Sequence, residues 1–424
     1  MALRICIYED DKFSNFFPLT LLRPVYILRP GAVPLFRRVE FLFPGASITL
    51  VARDQIGPLL AEQHADYPVS IIKREGGGDV LFLNGRIRSY GDLPKLVRES
   101  RLSTMFKGQG ETVGVLFKVD TLQAVPALAT HHEYIREYQF HQAEIPEFDT
   151  TATLYSHLWE MVADIETIVS EDVAYLRGAS SPSENVRVHN GAYLVNPDHV
   201  YLGNDVEVYP AAVIDASKGP VMIGPNTRIE SHAAIYGPCF IGANSVVLAG
   251  KISRCSVGPT CRVGGELEES ILQSYVNKYH AGFIGHSYVG SWVNLGAMTT
   301  NSDLKNNYSP IRVSLGGKMI DTGSIKIGSF IGDHTKFGIG TLLNTGINIG
   351  ICCNIFGGGL TTDKEIPSFS WGNTDKFHTY AFDKAVDAVQ RSAERRNVTA
   401  SKQELELLKL ISQNGLTSSG VLIF

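Results

Sequence analysis

The chain has 424 residues, a net charge of −5 and 44% hydrophobic residues. That length exceeds one ordinary core, so two or three domains are expected. No stretch gathers Lys and Arg on one face, which argues against nucleic acid or an anionic membrane surface as a partner. Neither end has roughly 18 uninterrupted apolar residues, and the opening is acidic by Glu9, so neither a membrane span nor a signal peptide is expected. The six cysteines form no CxxC pair. Buried free thiols in a reducing cytoplasm are the expectation.

Residues 1–148 read as an α/β domain. Strand-like runs are Ile5–Tyr8, Ile48–Val51, Val69–Ile72, Val80–Leu83 and Val113–Leu116, with helical patterns at Pro34–Phe41 and Leu59–His64. That alternation predicts a mainly parallel sheet. Pro146 marks a break. Leu154, Leu158, Met161, Val162 and Ile165 have helical spacing, which predicts a connecting helix over Thr150–Glu166 and then a loop at Gly178–Pro182; 149–185 is the linker.

From about Val186 to Pro367 a six-residue beat takes over. Aliphatic or aromatic residues recur at Ile223, Ile229, Ile235, Ile241 and Val247, at Val257 and Val263, and at Ile325, Ile331, Phe337, Leu343, Ile349 and Ile355. Neither a helix nor a plain strand has that period. A triangular solenoid does: each hexad is one flat face with one residue inside, and three hexads close a coil. The expected fold is an all-β left-handed parallel β-helix of hexapeptide repeats. Thr299–Thr322 breaks the beat, predicting a projecting loop that covers the ground beside Asn294. The tail, 368–424, is helical by pattern. Phe382, Val386 and Val389 share a face, Arg391, Arg395 and Arg396 follow near its end, and Ser401–Glu404 is a capping box before Leu405, Leu408 and Ile411. The pair, and the apolar end Val421–Phe424, are expected to dock on the solenoid or a neighbouring subunit. Solenoids of this type assemble as trimers, so a homotrimer is expected.

Solenoid interiors are filled, so chemistry belongs to corners, loops and subunit grooves. The richest polar stretch is Asn277–His286, then Trp292–Ala297, then Asn301, Asp303, Lys305, Arg312 and Lys318. His280 or His286 has the type for a general base near neutral pH, Asn294 for fixing a hydroxyl or carbonyl, and the Lys and Arg residues for a phosphate. Read as residues alone, both histidines are equally ordinary corner residues.

His280-Ala-Gly-Phe283-Ile-Gly285-His286 and Asn294-Leu-Gly296-Ala297 resemble the acetyltransferase motif of the bifunctional N-acetylglucosamine-1-phosphate uridylyltransferase/glucosamine-1-phosphate acetyltransferase family. Leu304-Lys-Asn-Asn, Asn344-Thr-Gly, Asn354-Ile-Phe-Gly and Pro367-Ser-Phe-Ser-Trp-Gly are similar to a divergent bacterial branch of it. The resemblance implies a nucleotidyltransferase-like head on a hexapeptide-repeat acyltransferase. It implies His280 as the base that deprotonates a sugar amine for attack on acetyl-CoA, Asn294 as a sugar ligand, and Lys278 or Arg262 as phosphate ligands. Phe283 stands where the family has Tyr, and His286 where it has Asp.

The head resembles the sugar nucleotidyltransferase start in Pro18-Leu19-Thr20-Leu-Leu-Arg23-Pro24 and Gly31-Ala-Val-Pro34-Leu35. It lacks the Gly-rich loop, has Val25 for the Lys, and places Arg86 of Asn84-Gly85-Arg86 where a metal-binding Asp is usual. Arg23, Arg29 and Arg86, with Asn84 and Gly85, are therefore the expected nucleotide ligands, and Asp10 the expected Mg²⁺ ligand. Three functions follow as expectations. The first is a sugar-1-phosphate nucleotidyltransferase/amino-sugar-phosphate acetyltransferase of nucleotide-sugar synthesis. The second is an acyltransferase with a head that only binds a nucleotide sugar, and the third a non-catalytic trimeric scaffold. Expected partners are a sugar phosphate, a nucleoside triphosphate or nucleotide sugar, and acetyl-CoA.

Overall fold

The computed structural model describes residues 3–69, 78–118, 145–178, 183–374 and 376–414. Most of the expected strand Val69–Ile72, most of the loop Gly178–Pro182 and all of Val421–Phe424 lie outside the described residues. The head strands are β1 (Arg4–Tyr8), β2 (Ser47–Leu50), β3 (Val80–Asn84), β4 (Ile87–Ser89), β5 (Thr104–Gly108), β6 (Glu111–Phe117), β7 (Glu147–Asp149) and β8 (Thr153–Leu154). Six of them form one sheet, ordered β2-β1-β3-β6-β5-β7. β1 runs parallel to β2 and β3, and β5 parallel to β7, but β6 is antiparallel to both its neighbours. The sheet is thus mixed rather than mainly parallel. Gln109 and Gly110 explain it: both have positive φ (52° and 83°), the geometry of a two-residue hairpin turn.

Helices α1 (Leu35–Leu42), α2 (Gly57–Gln63) and α3 (Leu93–Glu99) pack on this sheet. The single connecting helix expected from Thr150 does not form. β8 first pairs with β4, and the chain then makes α4 (Leu158–Ala163) and α5 (Ile165–Gly178). The two helices meet at Asp164, whose carboxylate is held by Arg88 at 2.6 Å.

The solenoid has about ten parallel coils and three faces. On face one the inward column includes Ile229, Val247, Val263, Leu295, Phe337 and Ile355, stacked in register. On face three it includes Ile223, Ile241, Val257, Leu272, Val289, Ile331 and Ile349. All are at most 3% exposed and share one core, as the six-residue beat requires. Three positions depart from expectation. Ile325 is 46% exposed, because it still belongs to the inserted segment, whose two arms meet at the Leu304–Lys326 bridge. Lys278 pairs with Val263 and so points into the prism. Asn301 pairs with Leu343 and is equally buried.

The insert projects between faces two and three of one coil. It carries an antiparallel hairpin, Arg312–Leu315 with Lys318–Asp321, which lies along face three. Its turn donates Gly316 N and Gly317 N to Glu365, both at 2.9 Å, and Ser314 O accepts from Asn348 at 3.1 Å. The rest of face three is covered by the head. Its outward column there is Phe240, Ser256, Ile271, Tyr288 and Phe330, and the four apolar members join the head's core. Tyr288 OH accepts from Arg29 N at 2.8 Å, Ser256 Oγ donates to Gly31 O at 2.6 Å, and Arg23 makes a two-bond ion pair with Asp333 at 2.9 Å.

The tail helices α6 (Phe382–Glu394) and α7 (Lys402–Asn414) cover the corner between faces three and one. α6 buries Ala385, Val389 and Ala393; α7 buries Leu407, Leu408 and Ile411. Half of the capping box forms: Glu404 N donates to Ser401 Oγ at 3.2 Å. The Glu404 carboxylate instead reaches His334 Nε2 at 3.2 Å, and Ser401 Oγ donates to Glu62 of α2 at 2.9 Å. α7 therefore ties head to solenoid. All six cysteines are buried free thiols. No helix among the described residues is long and apolar enough to cross a membrane.

Replacing Asp333 with Ala strands the Arg23 guanidinium in the head–solenoid junction. Removing one partner of a buried ion pair costs about 3–5 kcal/mol. Denaturant unfolding followed by circular dichroism is expected to split into two transitions, the head melting first; a single unshifted transition would refute this account of the junction.

Candidate functional site

Open α/β sheets bind ligands beyond the carboxyl ends of their parallel strands, here the ends of β1 and β3. That ground is filled by the protein's own side chains. Glu9, 1% exposed, accepts from Arg53 Nε at 2.8 Å and from Val25 N at 2.9 Å. Arg53 sits over the Phe13 ring, 4.1 Å from its centroid. Tyr26 packs so tightly on Gly85 that a Cβ there would lie 2.6 Å from its ring. Arg86 is 0% exposed; it donates to Asp10 at 2.6 and 2.9 Å and to Glu111 at 2.5 Å. Asn84 donates to Asp10 at 2.9 Å.

The three arginines expected around a phosphate do not converge. Arg86 is spent on Asp10 and Glu111, Arg23 on Asp333, and Arg29 on the carbonyl of Ala32. Burial pushes the Arg29 guanidinium below its ordinary pKa. Asp10 does not fit the Mg²⁺ role, since Arg86 and Asn84 take its oxygens. Among the described residues no three His, Cys, Asp or Glu side chains come together as a metal set.

On the solenoid, His280 is exposed at the corner between faces one and two. Its carbonyl is pinned from inside by Lys278 Nζ at 2.6 Å, which also donates to Gly264 O at 3.1 Å. Burial lowers the Lys278 pKa to about 8. Lys278 is therefore no phosphate ligand: its ammonium holds the corner on which His280 stands. Asn301 is likewise internal, exchanging bonds with Gly285 N and O at 2.8 and 2.9 Å. It satisfies the backbone where the insert leaves the coil. Phe283 lies against Gly285. Arg312 and Lys318 are exposed on the hairpin, on face three rather than beside Asn294.

His286 is 7% exposed and clamped between carboxylates, Nδ1 to Asp303 at 2.7 Å and Nε2 to Glu269 at 2.9 Å. Burial opposes its charge, but the two carboxylates outweigh burial and raise its pKa to about 9. Glu269, bonded to His286 and Arg254, falls to about 2. An imidazole held protonated at neutral pH by two carboxylates is a poor base. His286 instead ties the insert to the corner, and Arg254 continues the chain to Glu166 of α5 at 2.9 Å.

Two expected residues do come together. Arg262, Asn277, Asn294 and Lys336 are successive outward rungs of face one. With Tyr275, Trp292, Val293 and the end of α6 (Ser392, Arg395, Arg396) they line a cleft of about 210 Å³. Asn277 Nδ2 donates to Asn294 Oδ1 at 2.7 Å, and Lys336 Nζ to Trp292 O at 2.6 Å. His280 is not among the lining residues; it lies at the corner past the two-residue strand Asn277–Lys278. Lys336 was not a sequence candidate. Its signal was available: each rung immediately precedes an inward residue of the beat.

These observations define a two-part protein, an α/β head fused to a parallel β-solenoid. Over residues 5–180 the chain matches the family model described as Sugar nucleotidyl transferase. It is 30% identical over 221 residues to a bifunctional sugar-1-phosphate nucleotidylyltransferase/acetyltransferase of Sulfurisphaera tokodaii, covering 51% of this chain and 48% of that one. It is 26% identical over 230 residues to the bifunctional protein GlmU of a Synechococcus species, covering 53% and 41%. It is 30% identical over 146 residues to an uncharacterized acetyltransferase, YaiX, of Escherichia coli, covering 34% and 64%. The chain thus spans under half the length of the two bifunctional relatives.

The raised His286 pKa has a defined sign. Its stabilisation is full below pH 6.5 and is lost as pH rises through about 9. Wild type minus His286→Gln should therefore show a stability difference on the order of 2 kcal/mol near pH 6 that shrinks between pH 6.5 and about 9. A difference that is flat across that window in chemical denaturation would overturn the assignment.

Proposed function

We propose that this chain is a transferase of nucleotide-sugar synthesis that acetylates an amino-sugar phosphate from acetyl-CoA and carries a sugar-1-phosphate nucleotidyltransferase half. The observation that carries the reading is the union in one chain of a head matching the sugar nucleotidyl transferase family and a parallel solenoid, with relatives named for both activities. In the acyl step His280 takes a proton from the acceptor amine. The amine nitrogen attacks the thioester carbonyl, the N–C bond forms and the C–S bond breaks. The proton passes to the departing thiolate of CoA. Lys278 supports the step by fixing the His280 corner, and Asn294 with Arg262 offers polar ground for the acceptor at the other end of the same face.

The working form we propose is a cytoplasmic homotrimer. Met298, Ile339, Leu342 and Leu360 are 56, 74, 41 and 51% exposed and lie on face two and its corner, next to His280. Apolar ground of this kind favours association, and a neighbouring copy there would wall the His280 corner.

A second reading has its own support: an acyltransferase whose head no longer transfers nucleotides. The Asp10–Arg86–Glu111 cluster and the Tyr26–Gly85 contact fill the crevice such transfer would use.

The test incubates full-length protein with acetyl-CoA, glucosamine 1-phosphate, UTP and Mg²⁺ and resolves products by mass. Acetylated sugar phosphate is expected, and His280→Ala is expected to lower its rate by about 10² to 10⁴ without loss of fold. Near-wild-type turnover in that variant would place the base elsewhere. A nucleotide sugar among the products favours the bifunctional reading, its absence the second, and no product at all a scaffold.

A further inference from the structure

Arg262, Lys336, Arg395 and Arg396 line one cleft, and none of the four forms an ion pair with a carboxylate among the described residues. Elsewhere Arg23, Arg38, Arg53, Arg86 and Arg254 face carboxylates, and Arg29 is held by the Ala32 carbonyl. The cleft instead gathers four cations on one surface. Like charges held together without a counter-ion raise the free energy of the charged forms. Burial pushes Lys336 down to about 8, with Arg396 adding to it, and burial together with Arg262 and Arg395 lowers Arg396.

One bland account is that Arg395 and Arg396 complement the carboxyl end of α6. It leaves Arg262 and Lys336 unexplained. Those two come from the rigid solenoid, three rungs apart on one ladder, about 14 Å at the usual strand spacing. Between them stand Asn277 and Asn294. The Asn277–Asn294 bond uses the Asn294 oxygen and leaves its amide N–H groups as further donors. The stacked rings of Tyr275 and Trp292, 4.0 Å apart and 9° from parallel, also line the cleft. Donors therefore come from two separate parts of the chain, the ladder and the tail, and acceptors are few.

We propose that this cleft is a phosphate-binding site, closed on one side by the end of α6, for a ligand carrying a phosphate ester. The chemistry is that of guanidinium and ammonium groups gathered on phosphate oxygens. It makes the tail part of a ligand site rather than packing alone. The proposal rests on the acceptor reading above, since Arg262 and Asn294 belong to both, and extends it to Lys336 and the tail; its test reads binding alone.

Calorimetric titration of the full-length protein tests it, with CoA and glucosamine 1-phosphate as the two phosphate sources and glucosamine as the probe lacking phosphate. At least one phosphorylated probe should bind, more weakly at higher salt, and glucosamine should not. Arg395→Gln with Arg396→Gln should weaken binding about tenfold or more, since each lost charge-assisted contact is worth that much. Arg262→Gln, on the rigid ladder, should do the same with an unchanged melting temperature. It keeps the test decisive if the tail variant loosens α6. Tighter CoA binding assigns the site to a nucleotide phosphate, tighter glucosamine 1-phosphate binding to a sugar phosphate. Binding unchanged in both variants, or no binding of either phosphorylated probe by wild type, would overturn the proposal. Because no turnover is measured, failure here is distinct from failure of the acyl reading.

Discussion

Everything else in the molecule depends on the closure of the coil. In a parallel solenoid each strand's N–H and C=O groups are satisfied by the coils before and after it, and one side chain per face fills the interior. A prism so built has only its outward rungs and its corners left to vary. This chain uses most of them for its own assembly. The head takes face three from Phe240 to Phe330, and the hairpin takes Asn348 and Glu365. The tail takes the corner between faces three and one. Among the ground left open are the ladder from Arg262 to Lys336, the His280 corner and face two, where function is assigned.

The head shows what docking does to a crevice. Arg23 could serve a ligand only if Asp333 were elsewhere, yet their two bonds fix the head to the solenoid. Arg86 and Asp10 neutralise each other just where a metal and a phosphate would meet. A buried guanidinium that already faces carboxylates gains little from an incoming phosphate and must first break those bonds. The same residue types that suggest nucleotide chemistry in a sequence are here internal ion pairs.

Periodicity made the solenoid legible, because a single inward residue every six is a steric demand no other fold shares. It misled wherever the demand was locally suspended. Ile325 kept the spacing but sits in the insert. Lys278 and Asn301 looked like surface ligands, yet they occupy inward positions in register with Val263 and Leu343, where a polar group is tolerated only because backbone carbonyls or amides meet it. Face three could have been read. Phe240-Ile241, Ile271-Leu272, Tyr288-Val289 and Phe330-Ile331 are apolar at the outward as well as the inward position, the mark of a strand buried on both sides. The single helix expected from Thr150 failed for a different reason: Thr153 and Leu154 found a strand partner in β4, a long-range pairing that local spacing does not encode.

The corner between faces three and one carries the last part of the argument. One residue of every coil turns there with positive φ: Asn185, Asp205, Asn226, Asn244, Thr260, Tyr275, Trp292, His334, Cys352 and Phe369. The early members are Asp and Asn, which tolerate this conformation because their short polar side chains bond locally. The later ones, Thr260, Tyr275, Trp292, His334, Cys352 and Phe369, are neither Asp nor Asn, and for them it costs about 1–3 kcal/mol each. The change in residue type falls where the tail helices arrive. Tyr275 and Trp292 stack, Trp292 and His334 lie parallel at 6.3 Å, and His334 meets Glu404 of α7. Stacking and burial under α6 and α7 offset the strain, so tail and corner depend on each other. That dependence also holds Arg395 and Arg396 opposite Arg262 and Lys336, against their mutual repulsion. A chain that accepts strain at one corner and unpaired charge beside it has arranged both around the same cleft.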